Sequence, residues 1–462
     1  MTAELDVRIN ILNSILRSPH RDIAAFVPVH TQALKGDPLF YLHLAAWYTD
    51  KGEVRDHKHL FTARLLTSDP TLQFRPVGRA MLSALSPFEV ERTTRYAREQ
   101  FKGAPRFLRE SVKRYLMDVE SNDKRFDGAA TRSRNHLRSL YASFHIKPGK
   151  RAQSILFDGE PPEGSQSWIV RQLSKVSPQD AARLIAEHRI PLPVAVGAVR
   201  VTTPAIWVAL LISATPQEVI NSLQAIERRG LLQDPEIKQI IEGKLEAAKK
   251  DKRVSTLKGL RAAERVQDEG IKQAMEKTVD ARLVEKVAIT RSTLLLIDRS
   301  GSMEAAIAVA REIAVLIAPL CTGSLWAYVF NDTADRVEPM EKTRKGWGDV
   351  FRYVAANGYT SIGCGLQKAL NDGVRPEQII LVSDGGENKP PRLADVCKEY
   401  PVDIIFVRVG DKKDLDPSLQ AASWDFDGDF YSLPNLLPLL ARPSAAQMVE
   451  EIMQYPVPGW SG

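Results

Sequence analysis

The sequence predicts a molecule of α and α/β class, a long helical region followed by a doubly wound α/β sheet, and three observations lead there. From residue 1 to about 285, apolar residues recur at three- and four-residue intervals with few β-branched alternations, the period of helices. Beyond that point short, nearly continuous apolar runs alternate with helical stretches, the pattern of buried parallel strands. Charge changes sign near the same boundary: residues 291–462 hold 17 Lys and Arg against 23 Asp and Glu, whereas residues 1–290 hold 46 against 34.

In the helical region several starts are marked. Ser86-Pro-Phe-Glu89, Ser177-Pro-Gln-Asp180 and Thr215-Pro-Gln-Glu218 each place a hydroxyl at the N-cap, proline at N1 and a carboxylate at N3. That order satisfies exposed amides and suits the helix dipole. Short helices joined by short loops imply an α-solenoid of HEAT-like pairs. The stretch 241–265, rich in Lys, Glu and Ala, is expected to continue as amphipathic helix towards the boundary. In the second region strands are expected at 293–297, 325–330, 378–382 and 402–409, with helices at 303–320, 362–372 and 391–399. An amphipathic helix is expected at 443–454. The expected domains are therefore 1–285, 286–440, and a C-terminal helix and tail at 441–462.

With 462 residues, 44% hydrophobic and 26% charged, the chain belongs with soluble globular proteins rather than disordered or collagen-like ones. Its start is charged, and apolar runs such as 313–321 fall well short of the roughly 20 residues a membrane span needs. No membrane association is expected. Three cysteines at wide spacing, Cys321, Cys364 and Cys397, suggest neither a disulfide framework nor a zinc ribbon, and fit a cytoplasmic setting. The helical region's net +12 is densest in 91–151, where 16 basic residues face 7 acidic ones. Such density suits a polyanion, because each cation set on a phosphate releases counterions.

The sharpest chemistry lies at the end of the first expected strand, Leu294-Leu-Leu-Ile-Asp298-Arg-Ser300-Gly-Ser302-Met303. One carboxylate and two hydroxyls are hard oxygen ligands of the kind Mg²⁺ prefers, at a strand end that feeds a helix. Gly358-Tyr-Thr360-Ser-Ile-Gly363 adds a hydroxyl, and Ile379-Ile-Leu-Val-Ser383-Asp384 adds a second carboxylate at another strand end. An Asp-x-Ser turn can also simply cap the following helix, but capping accounts for neither Thr360 nor Asp384. Arg299, between the ligands, is placed to donate to a neighbouring carboxylate or to weaken cation binding.

Enzymatic motifs are sparse. There is no phosphate loop, and Gly363-Cys-Gly365 is too isolated for a dinucleotide fingerprint. His57-Lys-His59 reads as surface histidines, Cys364 as a small packed residue, and Asp425-Phe-Asp427-Gly-Asp429 as a turn before a strand at 430–431.

Together Asp298, Ser300, Ser302, Thr360 and Asp384 resemble a metal-ion-dependent adhesion site, and residues 290–435 resemble a von Willebrand factor A domain. A helical solenoid ahead of such a domain is similar to the TROVE family, the Ro autoantigen and its bacterial relatives. Leu42-His-Leu-Ala-Ala-Trp47-Tyr-Thr-Asp50, Arg106-Phe-Leu-Arg109-Glu-Ser-Val-Lys113-Arg114-Tyr115, Asn135-His136-Leu-Arg138 and His145-Ile-Lys147-Pro148 resemble its early, basic and His/Lys-rich segments. Glu187-His188-Arg189, Trp207-Val-Ala-Leu210 and Ile220-Asn-Ser-Leu-Gln-Ala-Ile226 resemble its later helices.

The resemblance implies a solenoid closed into a ring by the A domain. It also implies that Ser300, Ser302 and Thr360 ligate Mg²⁺ directly, with Asp298 and Asp384 acting mainly through water. It further implies binding of small noncoding RNA of the Y RNA kind and of single-stranded 3′ ends of defective RNAs, without catalysis, by a monomer that can be tethered to an exoribonuclease. Candidate RNA contacts are Arg109, Lys113, Arg114, Arg132, Arg134, His136, Arg138 and Lys147. The competing expectation is a protein-interaction scaffold that grips an acidic partner through the metal. Nuclease or phosphatase chemistry calls for more carboxylates around the metal than this motif supplies.

Overall fold

The computed structural model describes residues 3–16, 23–52, 55–67, 72–101, 105–251, 254–286, 288–341, 344–409, 413–419, 421–425 and 445–460. Contacts divide the chain into two compact units, one of residues 1–61 with 283–457, the other of 62–282 with 458–462. Among the described residues no helix is long and apolar enough to cross a membrane.

The first unit is built on a six-stranded sheet: β1 (Thr293–Asp298), β2 (Leu325–Phe330), β3 (Ala334–Val337), β4 (Gln378–Ser383), β5 (Asp403–Arg408) and β6 (Ala421–Asp425), in the order 3-2-1-4-5-6. All pairs are parallel except β2 with β3, which form a hairpin. The expected strands are all present. β1 and β4 are buried along their whole length, which is why their sequences read as unbroken apolar runs. The sequence pattern missed β3 and β6. β3 is an edge strand with its two central residues, Asp335 and Arg336, exposed, and β6 reads Ala-Ala-Ser-Trp-Asp, so neither carries the buried-strand signature. Of the acidic cluster, Asp425 ends β6; residues 426–429 and the expected strand at 430–431 lie outside the described residues.

One face of the sheet, carrying Leu294, Leu296, Phe330, Ile379, Leu381 and Phe406, packs on Ile362 and Leu366 of the helix Ile362–Asn371 and on Leu393 and Val396. The helix Glu304–Ile317 packs on β1 and β4 through a face that includes Ala306, Ala310, Ile313 and Ile317.

The N-terminal helices α1 (Ala3–Leu16), α2 (Ile23–Gly36), α3 (Pro38–Lys51) and the start of α4 (Arg55–Thr67) belong to this unit as well. α1 packs on β6 and on the C-terminal helix Ala445–Gln454, which also packs on α3. Trp47 Nε1 donates to Glu451 at 3.3 Å and the Tyr455 hydroxyl donates to Asp50 at 2.6 Å. His57 and His59 are not surface residues: both are buried, His57 is hydrogen-bonded to His30 at 2.9 Å, and its ring stacks on Phe26. Their i,i+2 spacing is compatible with burial because α4 is covered on more than one side, as Phe26, His30 and Tyr48 around His57 show.

The second unit is helical. α5 (Arg75–Ser83), α6 (Pro87–Phe101), α7 (Arg106–Glu120) and α8 (Asp123–Ser143) lead it, with α5 packing on α7, α6 on α8, and α7 on α8. Farther along, Pro178–His188 packs on Pro204–Ser213, which packs on Pro235–Ala248. Each helix thus touches its near neighbours in sequence, the arrangement a solenoid requires. All three proline-led starts are realised. The Ser86 amide and hydroxyl donate to Glu89, Ser177 accepts from the Asp180 amide, and Thr215 with Glu218 forms a full capping box. The expected continuous helix over 241–265 is instead two helices, Pro235–Ala248 and Thr256–Arg265. Ser255 caps the second, and buried Val254 pins the turn between them.

Candidate functional site

In the sheet order 3-2-1-4-5-6 the chain leaves β1 to one side for β2 and returns on the other for β4, so the C-terminal ends of β1 and β4 flank a topological switch point. Asp298 ends β1 and lies in register with Phe330 of β2; Ser383 ends β4, and Asp384 follows it. These pairings bring two motifs 85 residues apart in sequence into contact, the Ser383 hydroxyl donating to Asp298 Oδ2 at 2.7 Å. The Ser300 amide donates to Asp298 Oδ1 at 2.8 Å.

The Thr360 loop is placed by backbone bonds. The Thr360 amide donates to Asn388 Oδ1 at 3.0 Å, and its carbonyl accepts from the Asn388 and Lys389 amides, both at 3.0 Å. The Gly301 amide donates to the Gly358 carbonyl, and the Asn357 amide to the Arg299 carbonyl at 2.6 Å. Two glycines permit this closeness. Gly358 has φ +81°, and a Cβ there would sit 2.8 Å from Asn331 Nδ2; a Cβ on Gly363 would sit 2.5 Å from the Pro391 carbonyl oxygen. Gly363 and the isolated Gly-x-Gly it begins are thus explained by packing.

Asp298 is fully buried, Ser300 and Thr360 nearly so, Asp384 half-buried, and Ser302 exposed. Burial pushes the Asp298 carboxyl above the usual carboxylate range and nearby Asp384 adds repulsion, while hydrogen bonds from Ser300 and Ser383 pull the other way. The two carboxylates and three hydroxyls, on three loops, are hard-oxygen donors of the kind a small divalent cation takes. Such an ion offsets both the burial and the repulsion at Asp298. Among the described residues no group of three or more His, Cys, Asp or Glu is gathered for a metal.

Arg299 turns away to Asp335 of β3 at 2.6 Å, the neighbouring-carboxylate alternative. Sequence reasoning missed Ser383, Asn388 and Glu387. Glu387 accepts from the Gly363 and Leu393 amides, both at 2.9 Å, and so ties the Asp384 loop to two helix starts. The Ser-Asp-Gly-Gly-Glu-Asn run was their only local signal. Cys364 is half-buried, and burial pushes its thiol up to about 11, which disfavours the nucleophilic thiolate.

All eight basic candidates lie in the helical unit, but in separate neighbourhoods. α8 bends at Ser133, where φ is −141° and ψ 36°, between Arg132 and Arg134. Beyond the bend Arg134 donates to the Leu156 carbonyl at 3.2 Å and Arg138 lies over Phe157, while His136 faces Glu91 and the Phe88 ring on α6. Arg109 on α7 donates to the Phe144 and His145 carbonyls at the end of α8, two residues before exposed Lys147. Arg114 faces Glu110 at 3.4 Å, and Lys113 and Arg132 are exposed. Arg151, at the edge of the basic block, is committed to buried Asp127 through two bonds of 2.9 and 2.8 Å.

No family model and no curated protein matches the sequence. Among solved structures the chain is similar to the Ro (RSR) protein of Deinococcus radiodurans, with a TM-score of 0.65 and 15% identity over 93% of this chain and 99% of that one. Shorter likenesses are to proximal thread matrix protein 1 from the mussel byssus (TM-score 0.28, 17% identity, 34% of this chain and 48% of that one) and to a von Willebrand factor type A protein from Catenulispora acidiphila (0.25, 20%, 36% and 43%). The first of these extends over nearly the whole of both chains, and it shows that this chain has the fold of the Ro protein, a helical region with an α/β domain of von Willebrand A type.

Proposed function

We propose that this protein binds RNA without catalysing a reaction on it, engaging small noncoding RNAs of the Y RNA kind and single-stranded 3′ ends of misfolded RNAs for surveillance or processing. The observation that carries the reading is the confinement of the net positive charge to the helical part of a chain with the Ro fold, net +12 in residues 1–290 against −6 in 291–462. Exposed Lys113, Arg132 and Lys147 contact phosphates directly. Arg109 and Arg134, each partly committed to backbone carbonyls, present their remaining N–H groups from a fixed geometry. Contacts of this kind follow the backbone, so sequence preference is low and salt dependence steep.

The A-type domain serves a second role. Asp298, Ser300, Ser302, Thr360 and Asp384 hold Mg²⁺, which supplies an electrophilic position for a carboxylate of a docking protein such as an exoribonuclease. Asp298 is kept in place by Ser383, and the Thr360 loop by Asn388.

Filter binding to a structured RNA carrying a single-stranded 3′ tail tests the main reading. Affinity is expected to fall steeply between about 50 and 200 mM salt. Negligible binding at the lower salt, or metal-dependent cleavage of the RNA by purified protein, overturns it.

A further inference from the structure

The loop that follows β4, Asp384-Gly-Gly-Glu387-Asn-Lys389, uses its carboxylates on backbone amides and leaves its lysine in solvent. Asp384 Oδ1 accepts from the Gly386 amide at 2.6 Å, and Glu387 is committed to the Gly363 and Leu393 amides. Lys389 is exposed, and its Nζ stands 4.9 Å from the ring centroid of Tyr359, the residue before Thr360. Tyr359 is itself 60% exposed. The backbone brings this pair to the candidate cation site, because the Lys389 amide donates to the Thr360 carbonyl at 3.0 Å.

A second cation stands at the other end of the same run. The Lys413 amide donates to the Asp384 carbonyl at 2.9 Å, and Lys413 Nζ lies 2.9 Å from the point a Cβ on Gly386 would occupy, as does Asp384 Oδ1. Lys413 is exposed, and among the described residues neither its ammonium nor that of Lys389 lies within ion-pair distance of a carboxylate. Both charges therefore remain available to a second molecule. The Tyr359 ring steadies the Lys389 ammonium, so less side-chain freedom is lost when a partner fixes it. An exposed tyrosine also brings amphipathic contact area of the kind enriched at protein interfaces.

We propose that Tyr359, Lys389 and Lys413 form a rim beside the candidate cation site that receives an acidic segment of a docking protein, the two lysines pairing with carboxylates that flank the one presented to the cation. The rim rests on the docking reading of the A-type domain and adds to it the residues that select the partner. A short acidic protein segment is favoured over RNA because residues 291–462 carry a net charge of −6, so a long polyanion is repelled beyond the rim while a short segment meets only the local cations.

The test uses the full chain and a fluorescein-labelled oligoglutamate peptide, with affinity measured by anisotropy in Mg²⁺ and in an excess of unlabelled uridine oligonucleotide, which occupies the basic surface of the helical unit. The paired substitution Lys389→Gln with Lys413→Gln is expected to weaken peptide binding roughly 10-fold, mainly through slower association, and to flatten its salt dependence. Its melting temperature is expected to keep the response to Mg²⁺, which shows the variant folded and separates the rim from the cation site. Lys389→Arg with Lys413→Arg is expected to retain most of the affinity, and Tyr359→Ala to lose about threefold. Wild-type binding that requires Mg²⁺ but is indifferent to the Gln pair overturns the rim alone. Binding that falls with the Gln pair yet is equal in Mg²⁺ and in a chelator supports the rim and overturns docking through the metal. Peptide binding abolished by the oligonucleotide overturns the assignment to a protein partner, and a wild type that binds no peptide overturns the rim.

Discussion

At the scale of single residues the candidate site is an arrangement under electrostatic tension. Asp298 is fully buried, with its carboxyl raised by desolvation first and by Asp384 last. A folded-state pKa above the unfolded value means that ionisation opposes folding. The penalty is absent below the unfolded value near 3.9 and grows as pH rises past it. Metal-free protein with Asp298→Asn is therefore expected to melt at a higher temperature than wild type at pH 7, and to lack the rise in melting temperature expected of the wild type on adding Mg²⁺. Ser300→Ala with Ser302→Ala is expected to abolish that rise while leaving RNA affinity unchanged. A Mg²⁺-dependent shift that survives both sets of changes would count against the site. His57 makes a different point: buried against Phe26, His30 and Tyr48, it fills the space an apolar residue would, and its sequence neighbourhood did not disclose this.

At the scale of elements, strand ends and helix starts carry the site, and close approach decides their geometry. Gly363, in the first turn of the helix Ile362–Asn371, lies against the Pro391 carbonyl. Gly363→Val is expected to destabilise the protein by about 1–3 kcal/mol in urea melts and to weaken Mg²⁺ binding, because the Thr360 loop enters the same helix. Thr215→Ala removes one half of a capping box and is expected to cost about 1 kcal/mol with no effect on metal. The caps at Ser86, Ser177 and Thr215 were legible because a cap is a relation among residues three positions apart. β3 was not, because it is a four-residue edge strand in which no side chain is fully buried, so no apolar run marks it.

At the scale of the whole molecule, the chain's ends matter to each unit. Met448, Val449 and Ile452 of the C-terminal helix are buried, in the unit that also holds α1, α3 and the sheet. Truncation after residue 444 is expected to expose apolar surface on α1 and α3, seen as increased binding of a hydrophobic dye and a lower melting temperature. Unchanged values would show that this helix is dispensable to the unit. In the other unit Trp460 packs on Phe74, and Gly459, with φ +74°, lies against Pro76. The stretch 458–462 thus belongs with the helices that begin near Thr62, a grouping no feature of the tail's own sequence announces.

The sequence by itself determined the class of the fold, the four buried parallel strands, the helix starts and the order of the three hydroxyl- and carboxylate-bearing motifs of the candidate site. These are written in local periodicity and in short spacings, where a residue's role depends on neighbours a turn or a pleat away. Only the tertiary structure decided that Ser383 steadies Asp298, that β3 and β6 complete the sheet, and that His57 and His59 are core residues. It also placed the Lys389 ammonium over the Tyr359 ring. Each of these depends on contacts between residues tens of positions apart, which side-chain packing and strand pairing select and which no window of sequence contains.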